Sequence, residues 1–202
     1  MTNQLIDQSV ILDKALELAQ RKSWESFGLL ELASSLNCPL SQIRKHFRSK
    51  DDIAEVLFDR ADDAMLNFRT QQGFSSLSAD ERLFECIFSW FSSLAPFKSL
   101  VREILAYKLE PGHFHLQAHG ITRISRTVQW FIEATGREHT GLDRIIDEVG
   151  VTSVYLTSFS YFLFDSSEQH VKTQAFLKRS IQNLAKTESR ITRLIPHRKM
   201  MN

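Results

Sequence analysis

Basic side chains are concentrated in one short stretch near the start of this chain. Arg44, Lys45, Arg48 and Lys50 place four cations within seven residues. Cations at this density can neutralise several phosphates of a DNA backbone. Gln42 lies just before them, and glutamine and arginine are side chains that bond the edges of adenine and guanine in the major groove. The residue types and their spacing therefore indicate double-stranded DNA as a partner.

Two short helices joined by a tight turn are predicted to hold this basic stretch. Leucine and alanine recur at helical spacing over residues 29–36, and Gly28 is an acceptable N-cap for that helix. The turn Asn37–Pro39 ends it, because proline suits the first turn of a helix but not its interior. A second helix then spans Leu40–Phe47. This is the arrangement of a helix-turn-helix, in which one helix braces the second against the major groove.

The outward side chains of this segment are the ones predicted to contact DNA. Ile43 and Phe47 lie four residues apart and are expected to face the protein interior. Ser41 and Lys50 are expected on phosphates, and Gln42, Arg44 and Lys45, with His46, in the groove. The full predicted set is Gly28, Leu40, Ser41, Gln42, Arg44, Lys45, His46 and Lys50.

Helical periodicity continues to the end of the chain. The sequence has only seven glycines and four prolines, and apolar residues recur at three- and four-residue spacing. We predict an all-α fold of about nine helices. Ser49 and Asp52 match a capping box at the start of the fourth helix. The helices predicted after the first three span 49–72, 79–94, 97–109, 113–134, 142–165 and 168–194.

This organisation predicts a helix-turn-helix DNA-binding domain over residues 1–50 and a helical effector-binding and dimerisation domain over residues 51–202. The serine-rich connection Gly73–Ser78 is the candidate hinge. A formal net charge of +1 favours no class of partner, because local clustering matters more than the total. The chain starts with no signal-peptide pattern and has no apolar stretch long enough to cross a bilayer, so we expect it in the cytoplasm.

Catalytic and metal-binding patterns are absent from the sequence. It has no nucleophile elbow, Walker loop, dinucleotide fingerprint or HExxH motif, so we expect no enzyme and no cofactor. The two cysteines, Cys38 and Cys86, form no CxxC pair, which argues against structural zinc and a disulfide framework. His113, His115 and His119 are interpreted as exposed or pocket-lining side chains, because no carboxylate set completes a metal site.

Aromatic residues are frequent in the segment from Phe84 to Trp130. Any single ring at helical spacing is more often part of a core than of a site. Aromatic walls also suit a small apolar or lipidic effector, and we predict a pocket for one. The residues predicted to line it are Phe88, Phe91, Tyr107, Phe131, Tyr155 and Phe159.

The run Val149–Phe164 is apolar on nearly every side, so a helix there must be covered all round. One face can pack within the protomer, and the other is expected to meet a second copy. Pairing this helix and the next with their symmetry mates gives a four-helix homodimer interface. The predicted interface residues are Val151, Tyr155, Phe162, Phe176 and Ile181.

Roughly the first sixty residues resemble the N-terminal domain of the TetR/AcrR family of transcriptional repressors. The matching positions are Trp24, Leu29, Leu32, Ala33, His46, Phe47, Ser49 and Lys50. The resemblance implies a homodimer that binds an operator and responds to an effector. Three positions depart from the family pattern. Ser23 replaces a glycine, Pro39 replaces the hydroxyl residue that caps the recognition helix, and Arg44 replaces a tyrosine that packs on the DNA backbone.

The segment Asp147–Arg190 is similar to the C-terminal part of the lipid-binding accessory family of ubiquinone biosynthesis. Its matching stretches are Tyr155-Leu156, Phe164-Asp165-Ser166-Ser167, Thr173-x2-Phe176-Leu177 and Arg179-Ser180-Ile181. This resemblance implies an alternative, an isoprenoid-binding protein with a degenerate helix-turn-helix. The C-terminal tail would then contact a membrane weakly through Ile191, Leu194 and Ile195, which lie among Arg190, Arg193, His197, Arg198 and Lys199.

Overall fold

The computed structural model describes residues 6–111, 114–137 and 140–194, with side chains except those of residues 114–118 and 192–194. Over these ranges the regular structure is helical, which confirms the predicted all-α fold. The described residues form nine α-helices: α1 (Gln8–Lys22), α2 (Leu29–Ser35), α3 (Leu40–His46), α4 (Lys50–Phe68), α5 (Ala79–Leu94), α6 (Lys98–Leu109), α7 (Phe114–Thr135), α8 (Gly141–Phe164) and α9 (Val171–Leu194).

Most helix bounds lie within a few residues of the predicted ones, and the exceptions have backbone causes. α4 ends at Phe68, where three-residue turn bonds from Thr70 to Asn67 and from Gln71 to Phe68 replace the helical pattern. A left-handed Gly73 with φ 93 and a short 3₁₀ segment follow. α9 begins at Val171 because Gln169 and His170 are left-handed, with φ 48 and 55. A left-handed residue stops helical hydrogen bonding, so the last predicted helix starts three residues later than its apolar spacing indicated.

The chain forms two compact units. The first comprises Met1–Asp63 and Ser93–Gly120, and the second comprises Ala64–Ser92 and Ile121–Asn202. α6 therefore belongs to the same unit as the helix-turn-helix, and the candidate hinge Gly73–Ser78 lies inside the second unit. The functional division predicted at residue 50 stays a prediction.

In the first unit, α6 is bonded to the segments around the helix-turn-helix at three points. The Glu103 carboxylate accepts a 2.7 Å hydrogen bond from the backbone N–H of Trp24, just after α1. The Gln20 side chain donates to the carbonyl of Pro96, just before α6, at 2.9 Å. The Lys108 ammonium pairs with Asp51 and Glu55 in the first turns of α4. These contacts place α6 among the helices that support the turn.

In the second unit, α8 and α9 pack along each other at close range. A Cβ atom built on Gly150 would lie 2.3 Å from the Cδ1 atom of Leu184, so only a glycine allows this approach without a shift of that leucine. A buried charge cluster closes the same unit. The Arg137 guanidinium donates to Asp147 at 2.7 Å and to Glu188 at 3.0 Å, which joins the α7–α8 connection to both helices.

Two sequence features, the histidine cluster and the basic C-terminal tail, fall partly outside the described residues. His113 and the side chain of His115 lie outside, as do the side chains of Arg193 and Leu194 and the tail from Ile195 onward. His119 is exposed, with its Nδ1 atom 4.0 Å from the Asp51 carboxylate.

Within the described part of the chain, no group of histidine, cysteine and acidic side chains is placed to hold a metal ion. None of the helices described there is long and apolar enough to cross a bilayer.

Candidate DNA-reading site

The turn between α2 and α3 is built by backbone hydrogen bonds and one left-handed residue. Asn37 has φ 50, which suits an asparagine better than most residues. The N–H of Cys38 donates to the carbonyl of Ala33 at 3.0 Å and so closes the end of α2. Pro39 is the N-cap of α3 and contributes no side-chain hydrogen bond there. The departure from a capping hydroxyl therefore leaves α3 formed but without a side-chain cap.

The inner face of α3 is anchored as its spacing predicts. Ile43 and Phe47 are fully buried, together with Leu32 and Ala33 of α2. Burial of these apolar side chains fixes the rotation of α3 about its axis, because turning the helix would expose them. The rotation in turn decides which side chains are presented to a partner.

Four side chains form the exposed face of α3. Leu40 and Arg44 make one row at i and i+4, and Ser41 and Lys45 make a parallel row. All four are exposed, Leu40 by 45%. Arg48 is exposed just beyond the helix. This surface, which we call the α3 reading face (Leu40, Ser41, Arg44 and Lys45), combines two cations, a hydroxyl and an apolar group.

The structure places the other predicted contact residues away from this face. Gln42 is 7% exposed, since it faces the interior with Ile43, and His46 is half-buried. Gly28 is the N-cap of α2, as its position predicts. Contacts of these three residues with DNA stay predictions, but the burial of Gln42 favours a packing role over base reading.

Lys50 holds the connection between α1 and α2. Its ammonium donates to the carbonyls of Trp24, Glu25 and Phe27 at 2.8, 2.9 and 3.2 Å. It also lies 5.8 Å from the ring centroid of Trp24 and 5.1 Å from that of Phe27. Burial lowers the pKa of Lys50, against the opposing effect of the Glu25 charge. The predicted phosphate contact of Lys50 is untested, while its ammonium has a structural role that the sequence did not indicate.

The start of α4 carries one half of the predicted capping box. The N–H of Asp52 donates to the Ser49 hydroxyl at 3.3 Å, and the Asp52 carboxylate accepts from the N–H of Arg48 at 2.6 Å. The second bond goes to the residue before Ser49 and not to the N–H of Ser49 itself, so the two bonds close the segment after α3 without completing the box.

Four of the six predicted pocket residues meet in one aromatic cluster of the second unit. Phe91, Phe131, Tyr155 and Phe159 are buried there, with Trp90 and Phe162 completing the cluster. Ring centroids lie 5.2 Å apart for Trp90–Phe159 and 5.3 Å apart for Phe131–Tyr155. Phe88 instead stacks on Phe84 at 5.9 Å, and Tyr107 belongs to the first unit.

One buried hydroxyl in this unit was missed by sequence reasoning. Ser158 is fully buried, and its Oγ atom has no hydrogen-bond partner among the described residues. It shares a face of α8 with Tyr155 and Phe162, three residues before and four after it. Helical spacing from Tyr155 could have identified its inward direction.

The predicted dimer residues lie mostly inside the protomer. Val151, Tyr155, Phe162 and Ile181 are buried against their own unit, and Phe176 stacks on Tyr161 at 4.8 Å. The four buried residues are therefore not available to a partner in this conformation. The side of α8 that remains exposed carries a different apolar set, which we call the outer α8 face: Leu142, Ile145, Val149 and Phe164.

The fold and the helix-turn-helix have clear counterparts among solved structures. A TetR transcriptional regulator from Nitrosomonas europaea ATCC 19718 is 37% identical, with a TM-score of 0.79 over 89% of this chain and 98% of that one. The chain belongs to the TetR family of transcriptional regulators. A TetR transcriptional regulator from Rhodococcus sp. RHA1 shares the fold of this TetR-family regulator at 17% identity, with a TM-score of 0.65 over 88% of this chain and 94% of that one.

The resemblance to the lipid-binding accessory family of ubiquinone biosynthesis is confirmed over a short range of this TetR-family regulator. The COQ9 family model matches residues 149–188, which cover most of α8 and most of α9. No curated protein matches the chain at a significant level.

Proposed function

We propose that this TetR-family regulator is a homodimeric repressor that binds an operator through the α3 reading face and is released by a small apolar effector. The observation that carries the proposal is the exposure of Arg44 and Lys45 on a short helix whose opposite side is fixed by Ile43 and Phe47. A rigid helix with outward cations is what major-groove reading requires.

The DNA-binding part of the proposal is tested with the duplex that flanks the gene of this protein. Fluorescence anisotropy across a salt series measures both affinity and the number of phosphate contacts. The Arg44→Ala/Lys45→Ala variant should bind at least about tenfold more weakly. The slope of log affinity against log salt should fall by about two to four, because the proposed dimer carries each cation twice. The matched control is Lys178→Ala/Arg179→Ala, which removes two adjacent exposed cations of α9. Equal losses in both variants would contradict a role for the reading face.

The homodimer part of the proposal uses the outer α8 face. Its apolar side chains are unusually exposed for a folded protein, with Val149 at 61%. An interface formed by two α9 helices would bring exposed cations of the two protomers together, and they would repel each other. These cations include Lys172, Arg179 and Lys186. A dimer interface centred on α8 avoids that repulsion.

The oligomeric state of two valine variants tests this interface. Val149→Glu places a carboxylate on the outer α8 face, so the molar mass from light scattering should fall to that of a monomer. Val10→Glu makes the same change at a valine of α1 that is 49% exposed, and should leave the mass unchanged. A Val149→Glu protein with the mass of the unaltered chain would place the interface elsewhere.

The effector part of the proposal uses the aromatic cluster. The rings of this cluster are apolar, and the Ser158 hydroxyl has no hydrogen-bond partner among the described residues. Apolar surroundings with one polar group are typical of small-molecule sites. An effector that favours one inter-subunit geometry shifts the spacing of the two reading faces. It can lower operator affinity by no more than its own difference in affinity for the two geometries.

A second candidate function, binding of an isoprenoid lipid without DNA reading, is favoured by the COQ9 match over residues 149–188. Solvent extraction of the purified protein followed by mass spectrometry separates the two. A stoichiometric isoprenoid lipid, together with no specific duplex binding, supports the accessory protein. Specific duplex binding weakened by a small apolar compound supports the repressor.

A further inference from the structure

We propose that Leu40 and Arg44 read one composite feature of the operator, a thymine methyl group next to a guanine. The inference rests on the proposed DNA binding of α3. Leu40 is an apolar residue at the start of the recognition helix, yet 45% of its surface is exposed. Its row partner Arg44 is exposed one turn later. A leucine that contributes little to the core is available to a partner with an apolar surface.

The major groove offers a specific apolar feature. The C5-methyl group of thymine is the hydrophobic group that base edges present there, whereas guanine presents the O6 and N7 acceptors that arginine bonds in pairs. Leu40 therefore matches thymine, and Arg44 matches guanine. Serine and lysine, which form the other row of the reading face, match either a phosphate or several bases and so define the sequence less closely.

The spacing of the two side chains limits how far apart the bases lie. Residues at i and i+4 on a helix have Cβ atoms about 5–6 Å apart. Successive bases of one strand are about 3.4 Å apart along the axis. Leu40 should therefore reach a thymine within about two base pairs of the guanine that Arg44 contacts.

Duplexes selected from a random library by the full-length protein supply the probe. Each thymine of a selected duplex is then replaced in turn by deoxyuridine, which removes only the methyl group. The wild-type protein should lose about three- to fivefold in affinity at one thymine of each half-site. That thymine should lie within about two base pairs of a guanine. The affinity of Leu40→Ala should be the same for thymine and deoxyuridine at that position.

Leu30→Ala is the matched control, because Leu30 is a leucine of α2 with 69% of its surface exposed. This variant should keep the full deoxyuridine penalty of the wild type. The wild-type comparison needs no mutant, so it does not depend on how any variant folds. Specific binding that no deoxyuridine substitution weakens overturns the reading by Leu40 and leaves the proposed repressor intact. Failure to select any duplex overturns both.

Discussion

The Lys108 ammonium of α6 lies 2.5 Å from the Asp51 carboxylate in the first turn of α4. A second carboxylate, that of Glu55 one turn later, lies 2.8 Å from the same ammonium. The Lys108 side chain is only 9% exposed, so this ion pair is screened little by water. α6 and the helix that follows the reading face are thereby joined by charge as well as by packing.

Replacing Lys108 with methionine should lower the free energy of unfolding by about 2–4 kcal/mol. Methionine keeps the aliphatic length but leaves Asp51 and Glu55 as neighbouring carboxylates without their cation. Urea unfolding followed by circular dichroism measures the change. The control is Arg60→Met, which breaks an exposed pair with Asp13 and should cost less than about 1 kcal/mol. Similar losses in the two variants would show that burial does not strengthen the Lys108 contacts.

Replacing Lys50 with methionine should destabilise the first unit by about 2 kcal/mol, because three carbonyls lose their shared donor. Lys50→Arg should not restore the stability, since a planar guanidinium cannot converge on three carbonyls as a compact ammonium does. Thermal unfolding measures both variants. Lys45→Met, on the exposed face of α3, is the control and should change the melting temperature little.

A test on DNA separates the two roles of Lys50. At a temperature where Lys50→Met is still folded, a purely structural lysine leaves the salt slope of operator binding unchanged. A slope that falls by about two, one for each subunit of the proposed dimer, would instead support the predicted phosphate contact.

Much of the fold could be predicted from apolar spacing and from helix-ending residues. The four-residue spacing of Ile43 and Phe47 predicted correctly which side of α3 faces the interior. The turn Asn37–Pro39 predicted the break between α2 and α3. Ser49 and Asp52 marked the start of α4 because the capping of a helix N-terminus involves only neighbouring residues. Local patterns of this kind need no knowledge of distant parts of the chain.

The side-chain environments that the sequence did not indicate have a common cause in long-range contacts. α8 is apolar all round, so periodicity alone could not tell which side faces its own protomer, and Val151 and Phe162 lie inside. Lys50 looked like a phosphate ligand because its three carbonyl partners lie more than twenty residues earlier in the chain. Gln42 looked outward because a seven-residue helix leaves its polar boundary poorly defined.

Replacing Ser158 with alanine should raise the free energy of unfolding by about 1 kcal/mol, because it removes a buried hydroxyl that makes no hydrogen bond within the described residues. Ser153→Ala on the same helix is the control. Its exposed hydroxyl donates to the carbonyl of Val149 at 2.8 Å, so only the small helix-propensity gain of alanine is expected there. A loss of stability in Ser158→Ala would mean that the hydroxyl is satisfied, for example by a buried water.

Asp165, in the turn between α8 and α9, makes the free energy of unfolding depend on pH, and the direction of that dependence follows from its pKa. Burial raises the pKa of Asp165, but four hydrogen bonds from Ser167 and Thr173 outweigh it and hold the pKa well below its ordinary value. A carboxyl with a lowered folded-state pKa stabilises the fold fully above its unfolded pKa of about 3.9, and that contribution is lost as the pH falls below it.

Replacing Asp165 with alanine should therefore cost about 2 kcal/mol at pH 7, because α9 loses the cap on the N–H of Thr173. The difference from the wild type should stay constant down to about pH 5 and shrink steadily between about pH 4 and pH 3. Urea unfolding at each pH measures it. Asp143→Ala, at an exposed aspartate of α8, should show a small difference throughout. A wild-type advantage over Asp165→Ala that grows as the pH falls below 4 would reverse the sign and refute the cap.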